Sequence, residues 1–325
     1  MIHVEDKILT LPDGRTLAYA DSGNTSSSSL VLFLHGAFSV GYASRLPHAL
    51  LENNVHFIAP SLPGWGKSSP MRAPSTMYPA TLAADMTYLV THLHPTTANL
   101  RLYLCGHSFG TVPAQILHSL PHDVFPLGRQ VVALVLLAPL SPPHCHTGYA
   151  RTLSWQNYLM VGPPARYAPF NLVMHLAKIY MTRQLSSEAA AEIHVQNTLA
   201  QFMDDEEREE LARWKEDNGL AEGQFEREMA HVLMSSVAHS WQGFLDIPAI
   251  YHFGWGDSRP EDAANTCPVV VISSRNDLFS SEDMARWLAT AYKTTELKHV
   301  GGNRYSLFLH LDDVWDEIFR TTVSL

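Results

Sequence analysis

The sequence predicts an α/β protein whose core is a mostly parallel, doubly wound sheet, with a helical cap inserted between two strands. Short, continuously apolar runs alternate with helical patterns, which is typical of parallel strands buried on both faces. This alternation is interrupted from about residue 141 to 266, where helical patterns follow one another without a strand. We therefore predict a core of residues 1–140 and 246–325 and a cap of residues 141–245.

The predicted elements of the first half alternate regularly. The chain opens with two strands around a tight turn at Asp13-Gly14, which is typical of a hairpin. Four apolar runs predict the following strands, at 30–34, 55–59, 100–105 and 131–138. Helical patterns predict the connections between them, at about 42–52, 80–93 and 111–120.

The second half begins with the insertion and then returns to alternation. Helical patterns around 170–200 and 204–234 carry many aromatic residues and methionines, which is expected of helices that cover an apolar pocket. We interpret the acidic run at 204–210 as a solvated first helical turn, where acidic side chains suit the helix dipole. The last elements are predicted as strands at 268–273 and 296–300 and helices at about 281–292 and 310–320.

A Gly-x-Ser-x-Gly motif, Gly106-His-Ser-Phe-Gly110, joins the strand at 100–105 to the next helix. Strand, motif and helix in this order are typical of a nucleophile elbow. The turn is so tight that the residues two before and two after the serine must be small. The following helix directs free N–H groups towards negative charge that develops on the substrate. The motif therefore makes Ser108 a candidate nucleophile.

Composition and charge narrow the classes of function. The 325 residues are 46% hydrophobic and 17% charged, which is enough for a substantial core. The formal net charge of −10 argues against a nucleic-acid or anionic-membrane partner. No apolar run approaches the ~18 residues of a membrane span. We therefore expect a small apolar substrate as the partner, no nucleic acid and no membrane span, and the oligomeric state stays open.

The cysteines and their histidine neighbours argue against a disulfide framework and a metal site. Cys105, Cys145 and Cys267 are odd in number and far apart, which is typical of reduced thiols. His144 and His146 flank Cys145, but this spacing without further ligands does not suit zinc. The first residues lack the pattern of a signal peptide. We expect a cytoplasmic protein without a metal or other cofactor.

Taken together, these features resemble the α/β-hydrolase superfamily, and the likeness covers nearly the whole chain. It is carried by His35-Gly36, the run Pro63-Gly-Trp-Gly-Lys-Ser68, the elbow motif at 106–110 and Asp277 after the strand at 268–273. The order and spacing of these residues are similar to those of a capped member with a serine nucleophile. The resemblance implies a serine hydrolase and assigns roles to individual residues.

The resemblance gives the oxyanion hole to the backbone N–H groups of Ala37 and Phe109. It makes Asp277 the acid that orients the catalytic base. Asp257 is the alternative acid, although it precedes the strand that Asp277 follows. The candidates for contact with the substrate are Phe38, His107, Trp155 and Tyr158.

The catalytic histidine of the family is missing from its expected place. Family members usually carry Gly-His or Gly-Gly-His just after the last strand, whereas Gly301-Gly302 is followed here by Asn303. An amide can hydrogen-bond to Ser108 but cannot take its proton. Loss of one triad member costs serine hydrolases on the order of 10⁴–10⁶ in turnover.

Four explanations of Asn303 are open. It can be a deliberate replacement of histidine that traps a substrate, or a natural feature of a protein with non-hydrolytic work. A displaced base, His299 or His310, can serve instead, although both positions are more typical of structural histidines. The register that places Asn303 opposite Ser108 can also be in error.

We therefore expect an enzyme, a serine hydrolase of a small-to-medium apolar ester, lactone or thioester. It would act through an acyl-Ser108 intermediate, in a form that lacks the usual base. The alternative is a naturally histidine-less protein of the same fold that binds a hydrophobic ligand or catalyses a condensation, elimination or cyclisation. An epoxide hydrolase or dehalogenase is disfavoured, because those enzymes carry aspartate at the elbow.

Overall fold

An eight-stranded sheet forms the centre of the molecule. The structure, a computed structural model, describes residues 3–167, 171–277 and 279–322. The strands are β1 (Lys7–Thr10), β2 (Thr16–Gly23), β3 (Ser29–Leu34), β4 (His56–Pro60), β5 (Arg101–His107), β6 (Val131–Leu137), β7 (Val269–Ser274) and β8 (Thr295–Val300). Their order across the sheet is β1-β2-β4-β3-β5-β6-β7-β8. The first two pairings are antiparallel and all others are parallel, so the predicted mostly parallel sheet is confirmed.

Helices cover both faces of this sheet. They are α1 (His48–Glu52), α2 (Tyr78–Leu93), α3 (Thr111–Ser119), α4 (Trp155–Val161), α5 (Pro163–Tyr167), α6 (Leu172–Gln184), α7 (Glu188–Phe202), α8 (Asp205–Asp217), α9 (Gln224–Val237), α10 (Gln242–Leu245), α11 (Ile247–Phe253), α12 (Glu282–Ala291) and α13 (Leu311–Thr322). Strand β5 shows the two-sided burial, because successive side chains point to opposite faces. Leu102 and Leu104 join the apolar cluster of α2, α3 and α12. Tyr103 and Cys105 join that of α1 and α13.

The first predicted helix is much shorter than the sequence pattern suggests. A helix was expected over about 42–52, but only His48–Glu52 is helical. Pro47 stands at its N-cap with extended backbone angles, φ −49° and ψ 141°. A proline disfavours helical angles at the residue before it, so the helix cannot extend towards residue 42. Tyr42 instead forms an isolated antiparallel bridge with Val4.

Helices α4–α11 form the insertion between β6 and β7 and lie over the carboxyl ends of the strands. Gly66 N donates to Ser236 O at 2.9 Å, and Gly243 N donates to Gly64 O at 3.0 Å. These bonds join the insertion to the loop after β4. The helices run to Phe253, past the predicted cap limit of 245. The predicted pattern at 170–200 begins on residue 170, which lies outside the described residues.

None of the helices in the described ranges combines the length and the hydropathy that crossing a bilayer requires.

His118 is a buried histidine near the end of α3, the helix that follows the elbow. Only 1% of it is exposed, and its ring meets Tyr292 edge-on at 5.5 Å. Burial lowers the pKa of His118 to about 4. Because the folded state favours the neutral ring, His118 contributes stability above the ordinary pKa of about 6.5, and this contribution is lost as the pH falls towards 4.

We predict that the free energy of unfolding falls between about pH 6.5 and 4, and that His118→Phe removes part of this fall. The part is on the order of 3 kcal/mol, because the pKa is lowered by between two and three units. Urea unfolding at several pH values measures it. His92→Phe is the matched control, since His92 is exposed. Identical pH profiles for the wild type and the His118 variant would contradict the prediction.

Candidate active site

Ser108 lies on a sharp, strained turn between β5 and α3. Its φ of +53° is in the left-handed region, which is unusual for a residue with a side chain. Gly110 has no room for a side chain, because a Cβ there would lie 2.0 Å from Leu34 O. At Gly106 a Cβ would lie 2.4 Å from Gly110 O. The local structure is therefore the strand, tight turn and helix that the motif predicts.

The loop after β3 lies directly against this turn. A Cβ on Gly36 would lie 3.1 Å from the Cβ of Ser108. His35, 1% exposed, fixes the loop: its Nδ1 donates to Gly36 O at 2.7 Å and its Nε2 accepts from Leu62 N at 2.9 Å. Burial lowers the pKa of His35 to about 4, so the ring is neutral and can make both bonds. Ala37, the next residue, is exposed.

Arg304 stands between Asp277 and Ser108. Its Nε lies 3.0 Å from Asp277 Oδ1 and its Nη2 lies 3.1 Å from Asp277 Oδ2, a two-pronged ion pair. Its Nη1 lies 3.3 Å from Ser108 Oγ. The guanidinium also lies 4.4 Å from the centre of the Phe279 ring. The side chains that the structure brings together are therefore serine, arginine and aspartate.

Asp277 is a fully engaged carboxylate. Its side chain is 1% exposed. Besides Arg304, it accepts from the backbone N–H groups of Phe279 at 2.8 Å and Ser280 at 3.1 Å. The loop after β8 is tied to the same place, since Asn276 N donates to Gly302 O at 3.0 Å. Asp277, the predicted acid, therefore binds Arg304 and holds it beside Ser108, the predicted nucleophile.

The expectation that Asn303 faces Ser108 is wrong, because the next residue, Arg304, occupies that place. Asn303 is 3% exposed and turns towards the insertion, where its Nδ2 donates to Phe202 O at 2.5 Å. Its Oδ1 accepts from Tyr305 N at 2.7 Å. This bond to a backbone N–H two residues on is the usual turn of an asparagine. Because Asn303 closes that turn, the side chain of Arg304 points to Ser108.

Glu207, on α8, was expected in a solvated helical turn, and that expectation is wrong. It is 4% exposed. Its Oε1 accepts from Asn303 N at 2.7 Å and from Ser306 Oγ at 2.6 Å. Its Oε2 accepts from Asp204 N at 3.0 Å and completes a capping box. One carboxylate of the insertion thereby fixes the loop that carries Arg304.

His107, beside the nucleophile, stays a candidate contact for the substrate. Its Nδ1 would lie 3.4 Å from a Cβ on Gly36, so the ring is close to the loop after β3. Burial, and secondly the positive charge of Arg304, lower the pKa of His107 to about 4. An imidazole with so low a pKa is a weak base at neutral pH.

The alternative bases make other contacts. His299 Nε2 lies 3.9 Å from Glu282 Oε1, and His310 Nδ1 lies 3.7 Å from Glu210 Oε1. Among the described residues, no hydrogen bond or ion pair joins either ring to Ser108. Asp257, the alternative acid, is exposed.

Of the other predicted substrate contacts, Phe38 lies beside the predicted oxyanion loop, and Trp155 and Tyr158 lie on the surface of the insertion. Phe38 follows Ala37 and packs its ring against Trp65 at 6.0 Å and Phe244 at 4.8 Å. Trp155 and Tyr158, both on α4, are 72% and 40% exposed. Their role in substrate contact stays a prediction.

Histidines 144 and 146 are engaged elsewhere. His144 Nε2 donates to Ser258 O at 2.9 Å. His146 lies 2.8 Å from Ser141 Oγ through its Nδ1 and stacks on Trp287. Within the described ranges, no group of three or more His, Cys, Asp or Glu side chains is arranged to hold a metal ion.

The chain belongs to the alpha/beta hydrolase family, whose sequence model matches residues 31–320. Among solved structures, it is similar to an alpha/beta hydrolase fold protein from Nakamurella multipartita, with 17% identity, 98% of each chain covered and a TM-score of 0.59. It is similar to an esterase from Rhodococcus, with 15% identity, 98% of each chain covered and a TM-score of 0.59. It is also similar to an enol-lactonase from Burkholderia xenovorans, with 13% identity and a TM-score of 0.57, over 98% of this chain and 100% of that one. At these identities the likeness concerns the fold. No curated protein has a sequence that matches this chain.

We predict that Glu207→Ala lowers the free energy of unfolding by about 2–4 kcal/mol, because it removes the buried hydrogen bonds that this carboxylate accepts from Asn303 N and Ser306 Oγ. Urea unfolding measures the loss. Glu206→Ala is the matched control, since Glu206 is exposed in the same helical turn and should cost about 1 kcal/mol or less. Equal losses for the two variants would show that the buried contacts of Glu207 do not fix the loop.

Proposed function

We propose that this chain is an enzyme that binds a small-to-medium apolar carbonyl compound at Ser108 and acts on it without forming an acyl-serine. The observation that carries the proposal is the 3.3 Å contact between Arg304 Nη1 and Ser108 Oγ, at the position where a base would have to stand. A guanidinium stays protonated in proteins and offers no lone pair to a proton. Among the described residues, Ser108 therefore has a donor beside its hydroxyl and no base hydrogen-bonded to it.

The same contact changes what the Ser108 hydroxyl can do. Because its oxygen accepts from Arg304, its proton is free to be donated to an oxygen of the ligand. In this proposal the N–H groups of Ala37 and Phe109 bind that same oxygen. Donors held in place around one oxygen stabilise the negative charge that develops on it. Condensations and cyclisations in which a nucleophilic group of the substrate adds to the carbonyl use this stabilisation and need no serine adduct. The Ser108 hydroxyl then gives its proton to the carbonyl oxygen and regains one from the nucleophilic group.

The apolar character of the ligand rests on the aromatic side chains beside Ala37. Phe38 packs against Trp65, and its ring centre lies 6.4 Å from that of Trp241 on the insertion. Phe244 closes the same cluster at 4.8 Å from Phe38. An apolar ligand whose carbonyl reaches Ser108 would therefore have aromatic surface next to it.

Acyl transfer through Ser108, the first expectation from the sequence, is the competing function. The strained elbow favours it, since such a turn exposes a serine for attack. Arg304 opposes it, because the serine proton must go to a base before or during attack. The variant Arg304→His would place an imidazole, which can act as that base, next to Asp277.

We predict that Arg304→His raises Ser108-dependent hydrolysis of p-nitrophenyl butyrate by about 10²-fold or more. The reason is that the imidazole can take the serine proton while Asp277 orients it. Initial rates by absorbance measure the gain. Arg304→Gln is the matched control, since it also removes the guanidinium but its amide cannot take a proton, and it should show no gain.

A second control adds Ser108→Ala to Arg304→His and should return the rate to background. A wild-type rate that Ser108→Ala abolishes and Arg304→His leaves unchanged would overturn the proposal. It would show that this chain already activates its serine.

A further inference from the structure

The insertion exposes an unusual amount of apolar surface on α4–α6. The described part of the chain has fifteen large hydrophobic side chains that are exposed, and eight of them belong to these three helices. We call these eight the apolar surface: Trp155, Tyr158, Leu159, Tyr167, Leu172, Leu176, Ile179 and Tyr180. The three helices contact one another through α4, so the eight side chains belong to one region of the insertion.

Helix α6 presents its apolar side outwards. Its exposed residues Leu172, Leu176, Ile179 and Tyr180 recur at helical spacing and lie on one face, and Met174, 1% exposed, lies on the other. The exposed fractions of the four are between 54% and 59%. A surface helix normally turns such a face to the core. Contiguous apolar surface of this kind marks a site of interaction.

The charge of the same segment is opposite to that of the molecule. The chain has 32 acidic residues and a net charge of −10, yet residues 124–187 contain no Asp or Glu. On or next to α4–α6 the segment carries Arg151, Arg166, Lys178 and Arg183. The net charge of −10 argued against an anionic-membrane partner, but within this segment the charge is positive.

We propose that this surface binds the face of an anionic lipid bilayer. Exposed Leu and Ile side chains bury apolar area at the boundary of headgroups and acyl chains. Trp155, 72% exposed, and Tyr167, 73% exposed, are residue types that favour this interface. The basic side chains around them complement a negative lipid surface.

Arg166 lies beside exposed aromatic rings, where its charge can contact the lipid headgroups. The guanidinium of Arg166 lies 5.4 Å from the centre of the Tyr167 ring and 5.2 Å from that of Phe253. Phe253 is itself 44% exposed, so the apolar surface continues onto α11. A charge above exposed rings can meet a lipid phosphate while the rings enter the headgroup layer.

A second copy of this chain fits the surface less well. A twofold interface would place the surface against itself. Arg166, which lies over Tyr167, and Arg183, which shares the exposed face of α6, would then be brought close to their copies. Like charges brought together in this way weaken an interface.

The test is co-sedimentation of the full chain with vesicles of phosphatidylcholine alone or with about one third phosphatidylserine, at about 0.1 M salt. We expect the apparent affinity to be at least about tenfold higher for the phosphatidylserine vesicles. Arg183→Glu should lower it by fivefold or more, since each basic residue at such a surface contributes about fivefold. Leu176→Ser with Ile179→Ser should lower it by about tenfold or more.

Matched controls separate the surface from general effects of charge and hydropathy. Arg129→Glu makes the same change of charge at an exposed residue on another element, and Leu51→Ser removes an apolar side chain that is 51% exposed on α1. Both should leave binding unchanged. The proposal is overturned if neither vesicle binds the wild type, if both bind it equally, or if the controls lose as much as the surface variants. It is also overturned if light scattering finds a dimer that Leu176→Ser with Ile179→Ser dissolves.

Discussion

The ion pair between Arg304 and Asp277 is the interaction on which the site depends. It joins the loop after β7 to the loop after β8, and both side chains are nearly buried, at 11% and 1% exposed. Removing one partner of a buried pair leaves an uncompensated charge and costs about 3–5 kcal/mol. The ion pair therefore keeps the Arg304 guanidinium beside Ser108. Without it, the flexible arginine side chain could move away from the site.

The histidines near Ser108 are neutral, so Arg304 provides the positive charge at the elbow. His35 and His107 flank Ser108, and burial lowers the pKa of each to about 4. Both rings are therefore neutral at neutral pH, and the positive charge nearest to the Ser108 hydroxyl belongs to Arg304. A hydroxyl in such a place is suited to hydrogen-bond donation, because no side chain in the described part of the chain accepts its proton.

The sequence pattern was sufficient for the sheet and for much of the elbow. Apolar runs of fixed length locate strands such as β5, and small residues two positions either side of Ser108 follow from the tight turn. The pattern did not reveal Arg304. The family spacing pointed to Asn303, and one residue of register changes which side chain enters the site. The tendency of asparagine to close a turn on the second residue after it could have suggested the shift.

Glu207 could not have been found from the sequence at all. It lies 96 residues before Asn303, in a run of acidic residues that is typical of a solvated helix start. Its burial depends on how the insertion packs on the loop after β8, which is a property of the whole fold. The short length of α1 could have been predicted from the sequence, because Pro47 limits the helix locally.

The most direct measurement of the central claim compares how tightly the wild type binds naphthyl methyl ketone and ethylnaphthalene, which differ in the carbonyl oxygen. If Ser108 and its neighbours act as donors, calorimetry will show the ketone bound about tenfold more tightly. Ser108→Ala will reduce that preference by about fivefold. Equal affinities for the two compounds, or a preference that Ser108→Ala leaves intact, would contradict the account.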